Sequence, residues 1–445
     1  MVFKKLTFKG GVHPPEHKEL AEEKAIEVLP LPDYVIIPVQ QHLGAPAEPI
    51  VNVGDEVKTG DKVCEAKGFV SVPSHASISG KVSAIEKRPH PVGGEVISII
   101  IESDGNDQLS PSIKPITNYF DQDVEEMKKQ IQNAGLAGMG GAAFPTHVKL
   151  SPPTDKPIDT FILNGVECEP FLTADHRLML ERPNDILEGV RIIMKVLNCK
   201  RGYIGIEKNK PDAIALIQQL VNESGNQLTV VPLNVKYPQG AEKQLIKAIT
   251  NRKVPAGGLP MDVACLVHNV GTAKAVYDAV SSNKPLYERV VTVTGKGIKE
   301  PKNLLVRIGT PFQNLVDFCG GTTEDTIKII NGGPMMGIAQ YTLEVPVTKG
   351  TSGILALTKQ EAKLSEPEPC IRCARCVDAC PMTLLPNTLA RLIEYKMFDE
   401  AHKLGVLDCI ECGACAFVCP SKIRHVHHFK YGKLEVTKML KSKAA

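Results

Sequence analysis

Two stretches near the end of the chain, Cys370-Ile-Arg-Cys373-Ala-Arg-Cys376-Val-Asp-Ala-Cys380-Pro381 and Cys409-Ile-Glu-Cys412-Gly-Ala-Cys415-Ala-Phe-Val-Cys419-Pro420, repeat one spacing. They hold eight of the 13 cysteines. In such a C-x2-C-x2-C-x3-C-P run, three close cysteines hold one [4Fe–4S] cube and the fourth ligates the other. One cube is therefore expected on Cys370, Cys373, Cys376 and Cys419, and a second on Cys409, Cys412, Cys415 and Cys380. Each proline stops helical continuation and turns the fourth cysteine toward the partner cube. Zinc would use two pairs of thiolates, not this repeated spacing. A disulfide framework belongs to short secreted chains. This chain has 445 residues, and its start, MVFKKLTFKGGVHPPEHKE, lacks an apolar signal segment and reads as mature protein. The pattern predicts a carrier of single electrons.

Between the runs, 388–395 and 399–404 read as helices. Such a spacer predicts an all-helical two-cluster domain over 360–430, followed by a basic tail over 431–445. The whole chain is too long for one core, and about three or four domains are expected. Hydrophobic content of 43% and charged content of 23% are ordinary for globular proteins. A net charge of +2 argues against nucleic-acid or anionic-surface binding. No apolar run reaches the roughly 20 residues that span a bilayer. Reduced cysteines and oxygen-labile clusters place the chain in the cytoplasm or on the cytoplasmic face of a membrane. Cys64, Cys168, Cys199, Cys265 and Cys319 are scattered and read as small core residues.

Upstream, three pieces differ in pattern. Residues 31–105, within an N-terminal part spanning 1–117, read as short β-branched strands broken by Gly54-Asp55, Gly60-Asp61, Gly80 and Gly93-Gly94. Residues 118–286 alternate helix and strand, which predicts an α/β layer with a largely parallel sheet. Residues 287–345 return to β character around a short helix starting at Thr310-Pro311. The fold class is thus a multidomain α+β chain.

The α/β piece carries Gly135-Leu-Ala-Gly138-Met-Gly140-Gly141-Ala142-Ala143-Phe144-Pro145-Thr146. Consecutive small residues let backbone N–H groups approach an anion, and Lys149 follows within reach of a phosphate. The string follows a helix, which is not the dinucleotide-fingerprint context, and a plain turn is its bland alternative. A second string, Asn164-Gly-Val-Glu167-Cys-Glu169-Pro170, ends the next strand, where ligands bind in α/β sheets.

Together these strings resemble the flavin- and NADH-binding subunit of respiratory complex I. The resemblance implies FMN in the loop, on Gly138, Gly140, Gly141, Ala142, Phe144 and Lys149. It implies contacts to flavin and nicotinamide from Asn164, Glu167 and Glu169, with both glutamates in the catalytic role of orienting the reacting rings. Tyr237, Gly240 and Glu242 match a later YxxGxE string, and Asn269 and Thr272 match an NNVET-like one. Departures are Met139, Val166, Ala241 and His268. VNVGDEVKTGDKVCEAKGFVSVPSHASISGKVSAI resembles a lipoyl/biotinyl barrel-sandwich domain. Lys67 is the candidate for modification, but its EAKGF setting lacks the Met-Lys-Met or Asp-Lys-Ala signature, so a structural or docking module is expected. Residues 287–345 resemble the soluble-ligand-binding β-grasp (SLBB) domain.

The order of domains from Phe8-Lys-Gly-Gly-Val-His-Pro-Pro15 to Pro420 resembles the RnfC (RsxC) family, peripheral subunits of the Rnf ion-translocating ferredoxin:NAD+ oxidoreductases. The resemblance implies an oxidoreductase subunit with FMN and two [4Fe–4S] clusters, NAD(H) as substrate, and ferredoxin as an indirect partner. It also implies partner subunits in a membrane-bound complex, with ion movement confined to them. A soluble flavin–iron–sulfur reductase of the cobalamin-reductase kind and an electron wire without flavin are the alternatives.

Overall fold

The structure is a computed structural model that describes residues 6–225, 227–363 and 365–444. Residues 1–5 of the mature-start reading and Ala445 of the basic tail lie outside the described residues.

The barrel sandwich is built on two antiparallel sheets. One orders Tyr34–Pro38, Glu95–Ser103, Gly80–Pro89 and Glu56–Val57, and the other Glu48–Pro49, Lys62–Glu65 and Ser74–His75. Alternating β-branched residues turn Val35, Ile37, Val63, Val82, Ile99 and Ile101 into one shared core. Gly80 lies opposite Glu102 so closely that a Cβ would fall 1.8 Å from its carbonyl oxygen.

The α/β domain has a parallel sheet ordered Leu228–Leu233, Arg201–Glu207, Thr160–Gly165, Cys265–Asn269. The chain builds outward from Thr160–Gly165 on one side, then returns to add Cys265–Asn269 on the other. That reversal opens a crevice at the carboxyl ends of the two adjacent strands, where Asn164 pairs in register with Asn269. The helices Pro183–Val196 and Val270–Ser282 pack on each other. Gly189 makes this possible, since a Cβ there would lie 1.8 Å from the Ala273 carbonyl oxygen.

The β-grasp piece is larger than its sequence suggested. Its sheet has six strands, ordered Ile26–Val28, Lys302–Arg307, Glu288–Thr294, Gly353–Thr358, Thr326–Asn331, Ile338–Gln340. The first comes from ahead of the barrel sandwich, and Gly353–Thr358 lies beyond residue 345. Both pair parallel with neighbours remote in sequence, and such pairing leaves no local turn signal.

The described residues of the cluster domain are helical and contain no strand. Arg375–Ala379, Pro386–Glu394, Phe398–Lys403, Ala414–Phe417 and His425–Ala444 surround Leu389, Ile393, Ala401, Val406, Phe429 and Val436. Residues 431–444, read as part of a basic tail, are thus the last 14 residues of a 20-residue helix. Gly432 lets this helix close on Pro386–Glu394, because a Cβ would meet the Ile393 side chain at 2.5 Å.

Candidate electron-transfer site

The glycine loop is pinned at its ends. Gly138 N–H donates to Phe144 O at 2.9 Å, and Met139 N–H donates to Thr272 Oγ1 at 3.0 Å. Between them Gly140, Gly141 and Ala142 are exposed and Phe144 is half-buried. Gly140 is required where it stands, since a Cβ would sit 2.7 Å from Asn269 Nδ2. Asn269 caps the helix Val270–Ser282 by accepting from Gly271 N–H at 2.8 Å. The exposed turn therefore rests on the N-terminus of a 13-residue helix, whose partial positive charge and free N–H groups favour an anion such as a flavin phosphate.

The remaining residues of the crevice are tied to one another. Asn164 Nδ2 donates to Gly240 O at 2.9 Å, and Asn164 Oδ1 accepts from Val166 N–H at 3.2 Å. Glu167 accepts from the N–H groups of Asp175 and His176 at 2.7 and 3.2 Å, at the start of the helix Ala174–Glu181. Asp175 in turn accepts from Asn269 Nδ2 at 2.6 Å. Burial, then the charge of Glu167, push the Asp175 carboxyl up to about 7. Glu169 reaches the β-grasp piece and accepts from Met335 and Met336 N–H at 2.6 and 3.1 Å. Burial raises its carboxyl above the ordinary range. Gly333 leaves room for it, as a Cβ there would lie 2.1 Å from Glu169 Cγ.

Lys149 does not project freely. Its Nζ lies 2.6 Å from Glu242 Oε2 and donates to Val267 O at 2.7 Å. The structure thus brings together the expected residues Gly140, Asn164, Glu167, Gly240, Asn269 and Thr272 around the crevice. Both glutamates and the lysine already have protein partners.

The cysteines fall into two quartets. One pocket is lined by Cys370, Cys373, Cys376 and Cys419. The other is lined by Cys380, Cys409, Cys412 and Cys415. Each run therefore lends its fourth cysteine to the other quartet. Among the described residues no three His, Cys, Asp or Glu side chains converge on a point close enough for a single metal ion. Four thiols drawn from both runs around one pocket suit an iron–sulfur cube. Burial pushes the Cys412 thiol up to about 12, so ionising such a cage requires the positive charge of iron.

The two cages differ in surroundings. Cys370 and Cys373 are exposed. The second cage faces the α/β domain, where Tyr237 Oη donates to Cys412 O at 2.8 Å and Gln244 Nε2 to Pro381 O at 3.1 Å. Gly11 N–H donates to Ala379 O at 2.9 Å. Gly10, at φ 75°, leaves no room for a Cβ, which would lie 2.6 Å from Cys380 O. Three contributors were missed in the sequence, namely Gly10, Gln244 and Asp175. The Gly10-Gly11 pair was the one available signal.

A helix-seated anion loop joined through packed protein to two thiol cages defines an iron–sulfur flavoprotein of the oxidoreductase class. Family models agree domain by domain. An RnfC barrel-sandwich hybrid domain matches residues 6–106, a Nuo51 FMN-binding domain 131–278, an SLBB domain 290–339 and a 4Fe-4S dicluster domain 362–420. The chain is 50% identical over 96% of its length to a subunit of the proton-translocating ferredoxin:NAD(+) oxidoreductase complex of Clostridium ljungdahlii, covering 94% of that protein. It is 50% identical over 90% to a Na(+)-translocating counterpart from Acetobacterium woodii, covering 90% of it. A subunit of the ion-translocating oxidoreductase complex of Rhodobacter capsulatus is 41% identical over 96% of the chain, with 82% of that protein covered. An NAD+-reducing [NiFe]-hydrogenase in the H2-reduced state shares the fold, with a TM-score of 0.53 and 15% identity over 72% of this chain and 65% of that one. The chain belongs to the RnfC family of ion-translocating oxidoreductase subunits. Its cofactors are FMN and iron–sulfur clusters.

Proposed function

We propose that this chain is the electron-transfer subunit of a membrane-bound Rnf complex, passing electrons between NAD(H), FMN and two [4Fe–4S] clusters. One cube is assigned to Cys370, Cys373, Cys376 and Cys419, the other to Cys409, Cys412, Cys415 and Cys380. When bound, FMN exchanges two electrons with nicotinamide and one at a time with iron–sulfur clusters. Gly138, Gly140, Gly141, Ala142 and Phe144, on the N-terminus of Val270–Ser282, hold it. Asn164, Glu167 and Glu169 fix the crevice, while Tyr237, Gly240 and Thr272 keep its walls in register. Lys149 adds positive charge near the phosphate, tempered by Glu242.

The observation that carries this reading is the contact of Tyr237 with the Cys412 carbonyl. It sets the second-run cage against the flavin domain, while Cys370 and Cys373 of the first-run cage are exposed. Electrons would therefore pass between the flavin crevice and a cube held by Cys380, Cys409, Cys412 and Cys415, then a cube held by Cys370, Cys373, Cys376 and Cys419, and so reach partner subunits, in either direction. Among the described residues no helix is long and apolar enough to cross a membrane. The chain is assigned to the cytoplasmic face as a peripheral subunit, with ferredoxin as an indirect partner and ions moved by other subunits. The barrel sandwich and the intact glycine loop favour this role over a soluble reductase or a flavin-free wire. Anaerobic NADH titration of the iron- and FMN-loaded chain tests it. Flavin bleaching followed by two reduced-cluster signals is expected, and a chain that NADH leaves oxidised would sink the reading.

A further inference from the structure

The barrel-sandwich domain has no part in the electron path just described, yet its loops close directly on the glycine loop. Leu43 N–H donates to Ala143 O at 3.2 Å. His147, in the short helix after the glycine loop, donates its Nε2–H to Phe69 O at 2.9 Å. Its ring meets the Phe69 ring edge-on, with centroids 5.7 Å apart. The loops bearing Leu43 and Phe69 are pressed together, since a Cβ on Gly44 would lie 2.1 Å from Val70 O.

A buried lysine locks the same junction. Lys349 is 1% exposed, and its Nζ donates to Pro73 O of the barrel sandwich and to Gly135 O of the glycine loop, each at 2.7 Å. Its backbone N–H donates to Gln41 Oε1 at 3.2 Å. Both ends of the glycine loop, Gly135 and Ala143, are thus bonded into this junction. Burying a lysine amine is costly unless it is well hydrogen-bonded, so the mount is a built feature.

On this mount two apolar side chains stand in solvent, on loops bonded to Ala143 and His147 just after the exposed Gly140-Gly141-Ala142 turn. Phe69 is 61% exposed and Leu43 is 53% exposed. The Phe69 ring stands nearly perpendicular to that of His147, and much of its surface is bare. Rigid, exposed aromatic faces next to a phosphate-holding loop suit the planar base of a nucleotide.

We infer that the barrel-sandwich domain forms one wall of the dinucleotide site, with Phe69 stacking on the purine of NADH and Leu43 flanking it. The inference rests on the reading that NADH reduces this chain at the glycine loop. It gives the N-terminal domain a substrate-binding part that needs no modified lysine.

The test compares NADH with reduced nicotinamide mononucleotide, which carries the same hydride donor without a purine, as reductants of the FMN- and iron-loaded full chain. Phe69→Ala should raise KM for NADH roughly 5- to 150-fold, the range expected for losing one base–aromatic stack, and leave KM for the mononucleotide unchanged. Phe69→Tyr, which keeps the ring, should restore the NADH value. An unchanged KM for NADH in Phe69→Ala overturns the inference, and so does an equal loss with both reductants, which would mean a structural role. A wild-type chain that neither reductant reduces would overturn the underlying NADH reading itself.

Discussion

The phenol of Tyr237 is hydrogen-bonded to the carbonyl of Cys412 at 2.8 Å, and both residues are nearly closed to solvent, at 2% and 7% exposure. Tyr237 also lies against Glu169, whose charge adds to burial in raising the phenol far above its ordinary range. A single neutral side chain thus joins the flavin crevice to a cluster cage. It stays a hydrogen-bond donor at any working pH.

Tyr237→Phe removes that donor and leaves a buried carbonyl unpaired, at a cost of about 1–3 kcal/mol. Lower thermal stability with unchanged iron content is expected. The phenol also points the positive end of its O–H dipole at the backbone of a cluster ligand, and removing that dipole takes positive potential away from the cluster beside it. The second-run cluster should therefore become harder to reduce while the first-run cluster keeps its potential. Redox titration followed by paramagnetic resonance reads both, and equal shifts in the two clusters would refute the assignment.

Cys380→Ser should impair the cluster built on the second run, because Cys380 lines the cage of Cys409, Cys412 and Cys415. Iron analysis should show loss confined to one cube, with the first-run signal retained. Loss of the first-run cluster with the second intact would show that ligation is not crossed.

The cluster cages were legible in the sequence because ligand spacing is a local property, and the glycine loop was legible because small residues in a row are conspicuous. The topological reversal at Asn164 and Asn269 was not, since strand order depends on pairing between remote segments. Glu167 and Glu169 were expected to face the reacting rings. The structure shows what a string of letters cannot, namely that Glu167 meets the first N–H groups of Ala174–Glu181 and that Glu169 meets those of Met335 and Met336. Residues 431–444 read as a tail because their lysines mask the buried Phe429–Val436 stripe, which begins before the assumed boundary.

Asp175 makes stability pH-dependent. Its carboxyl is raised from 3.8 to about 7 in the folded chain, by burial first and by Glu167 second. Between those values the native state holds a proton that the unfolded chain has lost, so stability falls as pH rises through this window. One group limits the slope to about 1.4 kcal/mol per pH unit. Asp175→Asn removes the penalty. Its melting temperature should exceed that of the wild type by a margin that grows from pH 4 to pH 7 and then levels off. Parallel wild-type and variant curves across that range would show that Asp175 does not hold the proton.

The last prediction separates the fold of the cluster domain from its docking. Truncation after Lys422 removes Phe429 and Val436 from the core, and deleting one buried Phe side chain alone costs about 3–5 kcal/mol. A truncated chain should therefore lose iron, and its failure to bind membranes would say nothing about docking. Exposed Lys430, Lys438 and Lys441 lie on the same helix and can be reversed without touching that core. Among the described residues Lys438 pairs only with its helical neighbour Glu435, at 2.8 Å, and an exposed pair of this kind contributes little to stability. Replacing all three with Glu should keep eight irons per chain yet weaken attachment to membranes that contain the other subunits. Exposed charge contacts are screened over about 8 Å at physiological ionic strength, so washing wild-type membranes with high salt should release the protein without detergent. Iron-replete charge-reversed chains that sediment as strongly as wild type would show that this helix is not the docking face.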